Sequence, residues 1–194
     1  PTGPSTPLCL AYVGSTFRND PVGHLMYDLL AAHDRSAVRV LCVAVTPDDG
    51  SVYRRRLETT ADEFLDVSGL SDADAASQLT RRGVTAVVEM SGHTAGARLG
   101  ILGHRPAPIQ MVHAAAYPCS MGAPFIDYMV TDKASWVNSG DDAGTDAAGT
   151  DASVWPVEVP TEKPFFVDGT FFVNSLAGGW PLVVSPTDEQ HWRD

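Results

Sequence analysis

Short apolar runs separated by polar, turn-forming stretches set the rhythm of this chain. Residues 8–13 (LCLAYV) are continuously apolar, which predicts a strand covered on both faces. Residues 38–45 (VRVLCVAV) repeat the pattern and are closed by Pro47-Asp48-Asp49-Gly50, a turn signal. Residues 64–67, 84–90, 109–115 and 128–131 supply four further strand candidates. Between these runs the apolar period lengthens. Over residues 24–33, Leu25, Met26, Leu29 and Leu30 fall on one helical face. Further on, Ser71 and Asp74 have the form of a capping box, and Ala75, Ala76 and Leu79 make an apolar stripe. Arg81 and Arg82 suit the negative end of that helix's dipole, and Gly83 is placed to end it. A short helix is expected near residues 97–104. Strands and helices thus alternate, which predicts an α/β fold: a Rossmann-like, doubly wound, mostly parallel sheet over residues 8–136.

The ends and one internal segment break this rhythm. Residues 1–7 (PTGPSTP) read as a linker or a cut end, since the chain starts on Pro rather than Met. Residues 137–153 are an acidic insertion whose near-repeat AGTDAAGTDA has no bulky apolar side chain. Such a segment cannot bury enough surface to offset chain entropy, so disorder is expected. Residues 154–194 are rich in aromatics and proline (VWPVEVP, KPFFVDGTFFV, WPLVVSP). They are expected either to pack back on the lobe as edge strands or to begin a second lobe.

Charge changes the picture in one respect. With 24 acidic residues against 13 basic and a formal net charge of −11, the surface repels polyphosphate, so nucleic acid is not an expected partner. No apolar run approaches the roughly 20 residues that span a bilayer, and the start lacks the basic and apolar regions of a signal peptide. A cytoplasmic or nuclear setting, without membrane attachment, is the expectation. Cys9, Cys42 and Cys119 lie far apart in apolar surroundings and are expected to be reduced, buried thiols. The six histidines show no paired-ligand spacing, so no metal site is expected.

In a doubly wound sheet, ligands sit at the carboxyl ends of the strands. Three polar, Gly- and Pro-rich loops follow strands here: residues 14–24 (GSTFRNDPVGH), 91–98 (SGHTAGAR) and 116–122 (AYPCSMG). None matches a dinucleotide-binding or phosphate-binding glycine loop, and no GxSxG nucleophile elbow is present. His24, near a helix start, has the commoner role of capping or packing open to it; His93, after a strand, is as readily functional as structural. From the residues alone, the chain holds a ligand cleft in an α/β domain and no specified chemistry.

Taken in order, GSTFRNDPVGHLM, VTPDDG, VVEMSGHTAGAR, HRPAPIQ, YPCSMGAPFIDYMVTD and PFFVDG resemble the N-terminal catalytic lobe of the protein O-GlcNAc transferases. The SPINDLY-type O-fucosyltransferases share this lobe. The resemblance runs from Leu8 to Asp168, interrupted by the acidic insertion. It implies one lobe of a GT-B glycosyltransferase, in which a protein Ser or Thr hydroxyl attacks the sugar of UDP-GlcNAc, inverts the anomeric carbon and expels UDP. No metal and no cofactor beyond the donor is implied. The resemblance also implies a partner lobe, C-terminal to this one, that holds UDP through a lysine and a helix N-terminus. Neither that lobe nor a 34-residue helical repeat can be found, so the chain is expected to be part of a longer enzyme and inactive by itself. Residue by residue, the resemblance implies that Pro21, His24, Leu25, His93, Thr94, Tyr117 and Pro118 line the substrate site. The family histidine once proposed as catalytic base falls on Asp20, which can accept a proton, and the family aspartate falls on Thr16. The family glycines around the Tyr-Pro pair fall on Ala116 and Cys119. The rival reading is a non-catalytic relative, an α/β binding or scaffold domain.

Overall fold

The computed structural model describes residues 7–113, 119–133, 135 and 161–172. Its elements are β1 (Leu8–Gly14), α1 (Pro21–Met26), a 3-10 turn (Leu30–Ala32), β2 (Val38–Ala44), α2 (Val52–Thr60), β3 (Glu63–Asp66) and α3 (Asp72–Arg81). They continue with β4 (Ala86–Glu89), α4 (Gly100–Gly103), β5 (Ile109–His113), β6 (Tyr128–Thr131) and β7 (Lys163–Phe166). The strands form one sheet in the order β3-β2-β1-β4-β5-β6-β7, and every neighbouring pair is parallel. This is the doubly wound α/β architecture that the alternating pattern predicts.

The unbroken apolar runs follow from this sheet. Successive side chains of a strand point to opposite faces, and both faces are covered here. Cys9, Ala11 and Val13 of β1 join Leu41 and Val43 of β2 in a core with Ala75, Ala76 and Leu79 of α3 and Ile101 and Leu102 of α4. Tyr12 of β1 and Val40, Cys42 and Ala44 of β2 join the other core, with Val22 and Met26 of α1, Leu30 of the 3-10 turn and Leu57 of α2. At α3 the local signals hold in detail. The Ser71 hydroxyl accepts the Asp74 N–H at 3.1 Å, and Gly83 adopts a left-handed φ of 65° past the helix end.

Several elements differ from the expectation. The helix over residues 24–33 instead begins at Pro21 and ends at Met26, because Asp20 and Pro21 supply a start signal: the Asp20 carboxylate accepts the Val22 N–H at 3.4 Å and Pro21 takes the first turn. The helix near residues 97–104 contracts to Gly100–Gly103. α2 has no counterpart in the apolar pattern, since its inward positions are Leu57 and a charged residue, Arg54. Arg54 is 2% exposed, paired with Glu58 at 3.0 Å and Asp66 at 2.7 Å, and lies over the Phe64 ring at 4.4 Å. Cys9 and Cys42 are buried free thiols, but Cys119 is exposed, because it sits in a connecting loop and not on a strand. From the aromatic, proline-rich segment, residues 163–166 add β7 to the sheet edge beside β6. The acidic insertion lies outside the described residues.

At the amino edge of the sheet, residues of the RPAPIQ and IDY motifs form a lock. Arg105 donates to both carboxylate oxygens of Asp127, at 2.8 and 2.9 Å, and to the Phe125 carbonyl at 2.8 Å. The same Asp127 carboxylate accepts the Gln110 N–H at 2.8 Å. The Gln110 side chain donates to the carbonyls of Leu102, at 2.9 Å, and Phe125, at 2.8 Å. These bonds fix the starts of β5 and β6, far from the carboxyl edge where a ligand would lie. Replacing Asp127→Ala removes three charge-assisted bonds and is expected to cost roughly 2 kcal/mol in chemical denaturation; an unchanged midpoint would show the lock to be idle.

Candidate functional site at the carboxyl edge

β1 lies between β2 and β4, and the chain leaves β1 and β4 toward opposite faces of the sheet. That divergence is the topological switch point at which doubly wound folds open a crevice. Three bonds tie the strand ends around it. The Ser15 N–H donates to the Ser91 hydroxyl at 2.8 Å, the Ser15 hydroxyl donates to the Ala95 carbonyl at 3.3 Å, and the Thr46 hydroxyl donates to the Ser15 carbonyl at 2.6 Å. The loops after β1, β2 and β4 are thereby one assembly.

The first loop carries the GHLM motif into α1. Asp20 caps this helix, Pro21 is exposed at its first turn, and Leu25 is half-buried. His24 is half-buried, stacked on the Tyr53 ring with centroids 4.0 Å apart, and its Nε2 lies 2.8 Å from Asn19 Oδ1. Asn19 is itself held by its N–H, which donates to Asp49 at 2.8 Å. Because an amide oxygen only accepts, the proton of His24 sits on Nε2. Burial lowers the pKa of His24, with the Asp20 carboxylate opposing, so the ring is neutral near pH 7.

The second loop carries the GHT motif. The Thr94 hydroxyl donates to the Ser91 carbonyl at 2.6 Å and shapes the turn, while His93 is exposed, its Nε2 3.4 Å from the Ser120 carbonyl. That contact joins the second loop to the third. Tyr117 and Pro118, the expected residues of the third loop, lie outside the described residues. Farther along that loop, Glu162 accepts the Met121 N–H and the Ser120 hydroxyl, both at 2.7 Å, and so ties the approach to β7 onto it. Among the described residues, no group of three or more His, Cys, Asp or Glu could hold a metal ion. None of their helices is long and apolar enough to cross a membrane.

Pattern reasoning does not single out the residues that organise this edge. Glu89, at the end of β4, is buried, and its carboxylate accepts the N–H groups of Ser91 and Gly92. Burial pushes its pKa up to about 7, against the lowering effect of those two bonds. Arg98, closing the GHTAGAR motif, donates to Asp72 and to the carbonyls of Val67 at 2.9 Å and Leu70 at 2.7 Å, pinning the loop's far end to the start of α3. The available signal is a charged residue ending an apolar strand or a loop.

A family model described as glycosyl transferase family 41 matches residues 3–142. The UDP-N-acetylglucosamine–peptide N-acetylglucosaminyltransferase of Caenorhabditis elegans is 40% identical over 126 residues, 64% of this chain and 11% of that protein. The probable enzyme of the same name designated SEC, from Arabidopsis thaliana, is 37% identical over 126 residues, 65% of this chain and 13% of that protein. The SPINDLY protein of the same plant is 30% identical over 132 residues, 66% of this chain and 14% of that protein. The structure resembles a K341M mutant of the Thermobaculum terrenum O-GlcNAc transferase with a TM-score of 0.69 at 27% identity, covering 85% of this chain and 28% of that one. This chain therefore spans between 11% and 14% of the length of these curated relatives. With its parallel sheet, its strand-end loops and a family match over most of its length, the chain belongs to glycosyl transferase family 41.

Proposed function

We propose that this chain is the N-terminal catalytic lobe of a protein O-GlcNAc transferase that works in the cytoplasm or nucleus. It would face one side of UDP-GlcNAc and of a Ser or Thr acceptor, while a second lobe, C-terminal to it, takes the diphosphate. The observation that carries the reading is the joining of the GHLM loop, the GHT loop and the third loop at one edge, through the Ser15–Ser91 and His93–Ser120 contacts.

In this reading the acceptor hydroxyl attacks the anomeric carbon from the face opposite UDP, and the C–O bond to the diphosphate breaks with inversion. The hydroxyl proton passes to a base, for which Asp20 is the candidate, its carboxylate standing at the start of α1 beside His24. His24, neutral and fixed by Asn19 and Tyr53, is suited to hydrogen-bond a sugar hydroxyl without adding charge. Rate in such a site comes chiefly from orientation and from stabilising the departing diphosphate.

A second reading is a lobe that binds without catalysing. Two observations favour it. Asp20 is already engaged in capping α1, and the Thr16 hydroxyl, at the position of the family aspartate, is buried with no hydrogen-bond partner. The readings separate in transfer of radiolabelled GlcNAc from UDP-GlcNAc to a Ser-containing peptide by the product of the complete reading frame. The first expects transfer, with His24→Ala lowering kcat/KM on the order of 10²-fold and Asp20→Asn lowering kcat by about 10² or more. Transfer that survives Asp20→Asn unchanged would remove Asp20 as base, and no transfer by the unmodified enzyme would favour the binding lobe.

A further inference from the structure

Glu89 ends an otherwise apolar strand with its side chain 2% exposed. A carboxylate in such a place is costly unless specific donors surround it. Two of its donors are backbone amides. Oε1 accepts the Ser91 N–H at 2.9 Å and Oε2 the Gly92 N–H at 2.6 Å, so two consecutive amides converge on one anion. Gly92 reaches this arrangement with a φ of 57°, in the left-handed region that favours glycine.

The consequences spread outward from Ser91. Its hydroxyl accepts the Ser15 N–H and so holds the end of β1. Its carbonyl accepts the Thr94 hydroxyl at 2.6 Å and the Thr94 N–H at 3.1 Å, which closes the turn around His93. We infer that Glu89 is a positioning residue: its carboxylate, beneath the carboxyl edge, holds the start of the GHT loop, and through it both His93 and the end of β1, in the arrangement the sugar site needs. The relevance to sugar transfer rests on the function proposed above; the anchoring itself does not.

Protonation weakens the anchor. A neutral carboxyl turns one of its two acceptor oxygens into a hydroxyl that can no longer match both amides. Because burial raises the pKa from 4.5 to about 7, this loss falls near neutrality. The groups that could displace that value are few. β1 and the residues after it run beside Glu89 from Val13 to Thr16, none of which titrates, and β5 ends in His113, itself held neutral by burial that lowers its pKa to about 4. On the loop, His93 contacts Ser120 and the Arg98 guanidinium is engaged by Asp72, Val67 and Leu70. Burial and the Ser91 and Gly92 bonds govern the carboxyl. The sign for the whole fold is the reverse of that for the loop. Stability from this group is fully present below pH 4.5 and is lost as pH rises through about 7. Glu89→Gln, with no charge to bury, is therefore expected to stay folded.

The test is a pH titration of backbone amide resonances in the 194-residue chain. Ser91 and Gly92 should move together with one midpoint near 7, and both movements should vanish in Glu89→Gln. Ser91 and Gly92 amides that do not titrate together, or that move in the same way in Glu89→Gln, would overturn the anchor. In the transferase from the complete reading frame, kcat should fall several-fold below pH 7, and Glu89→Gln should abolish that pH dependence while leaving KM for the peptide nearly unchanged. Active enzyme whose kcat ignores both changes would refute the positioning role. Absence of transfer by the unmodified enzyme would instead count against the proposed function, with the amide titration still deciding the anchor.

Discussion

The chain leaves β1 toward one face of the sheet and β4 toward the other, although the two strands are hydrogen-bonded neighbours. Parallel pairing holds them together up to Val13 and Glu89, the Met90 N–H donates once more to the Val13 carbonyl at 2.8 Å, and the loops beyond lie outside the ladder. The Ser15 N–H, donating to the Ser91 hydroxyl, supplies the missing bridge. Together with the bond of the Ser15 hydroxyl to the Ala95 carbonyl, it keeps the first and second loops from being independent surface segments. With it, they become two walls of one crevice, and the remaining contacts at this edge refine what that bond makes possible.

The two edges of the sheet divide the labour. At the amino edge, Arg105, Gln110 and Asp127 lock the starts of β5 and β6, at the end of the sheet opposite the strand-end loops. At the carboxyl edge, Asn19 orients His24, Ser91 and Thr94 shape the turn around His93, and Glu162 ties the third loop to the approach to β7. A motif such as RPAPIQ therefore identifies the family through its architecture, whereas GHLM and GHT belong to the edge where chemistry would occur.

This division explains how much the sequence discloses. The central strands are legible because β1 and β2 are covered on both faces and must be apolar at every position. α3 is legible because Ser71, its apolar stripe and Gly83 each act locally. α2 is not, because Arg54 occupies an inward position and is neutralised by Glu58 and Asp66, the latter 12 residues away; no local period contains that pairing. The first helix shifts for a related reason, since a capping aspartate and a first-turn proline outweigh the apolar face that continues past Met26. At the site, His24 and His93 are visible as polar residues in strand-end loops. Glu89 is not, because two of its partners are backbone amides, which carry no trace in the residue letters. The places of Tyr117 and Pro118 lie outside the described residues.

The central claim is that the carboxyl edge between β1 and β4 faces the sugar of the donor. Photolabelling tests it most directly, using UDP-GlcNAc with a diazirine on its N-acyl group and the product of the complete reading frame, followed by peptide mapping. The account predicts covalent label within residues 14–26 or 91–98. Label confined to the amino edge, on the segment around Pro108, Ile109 and Lys163, would contradict it.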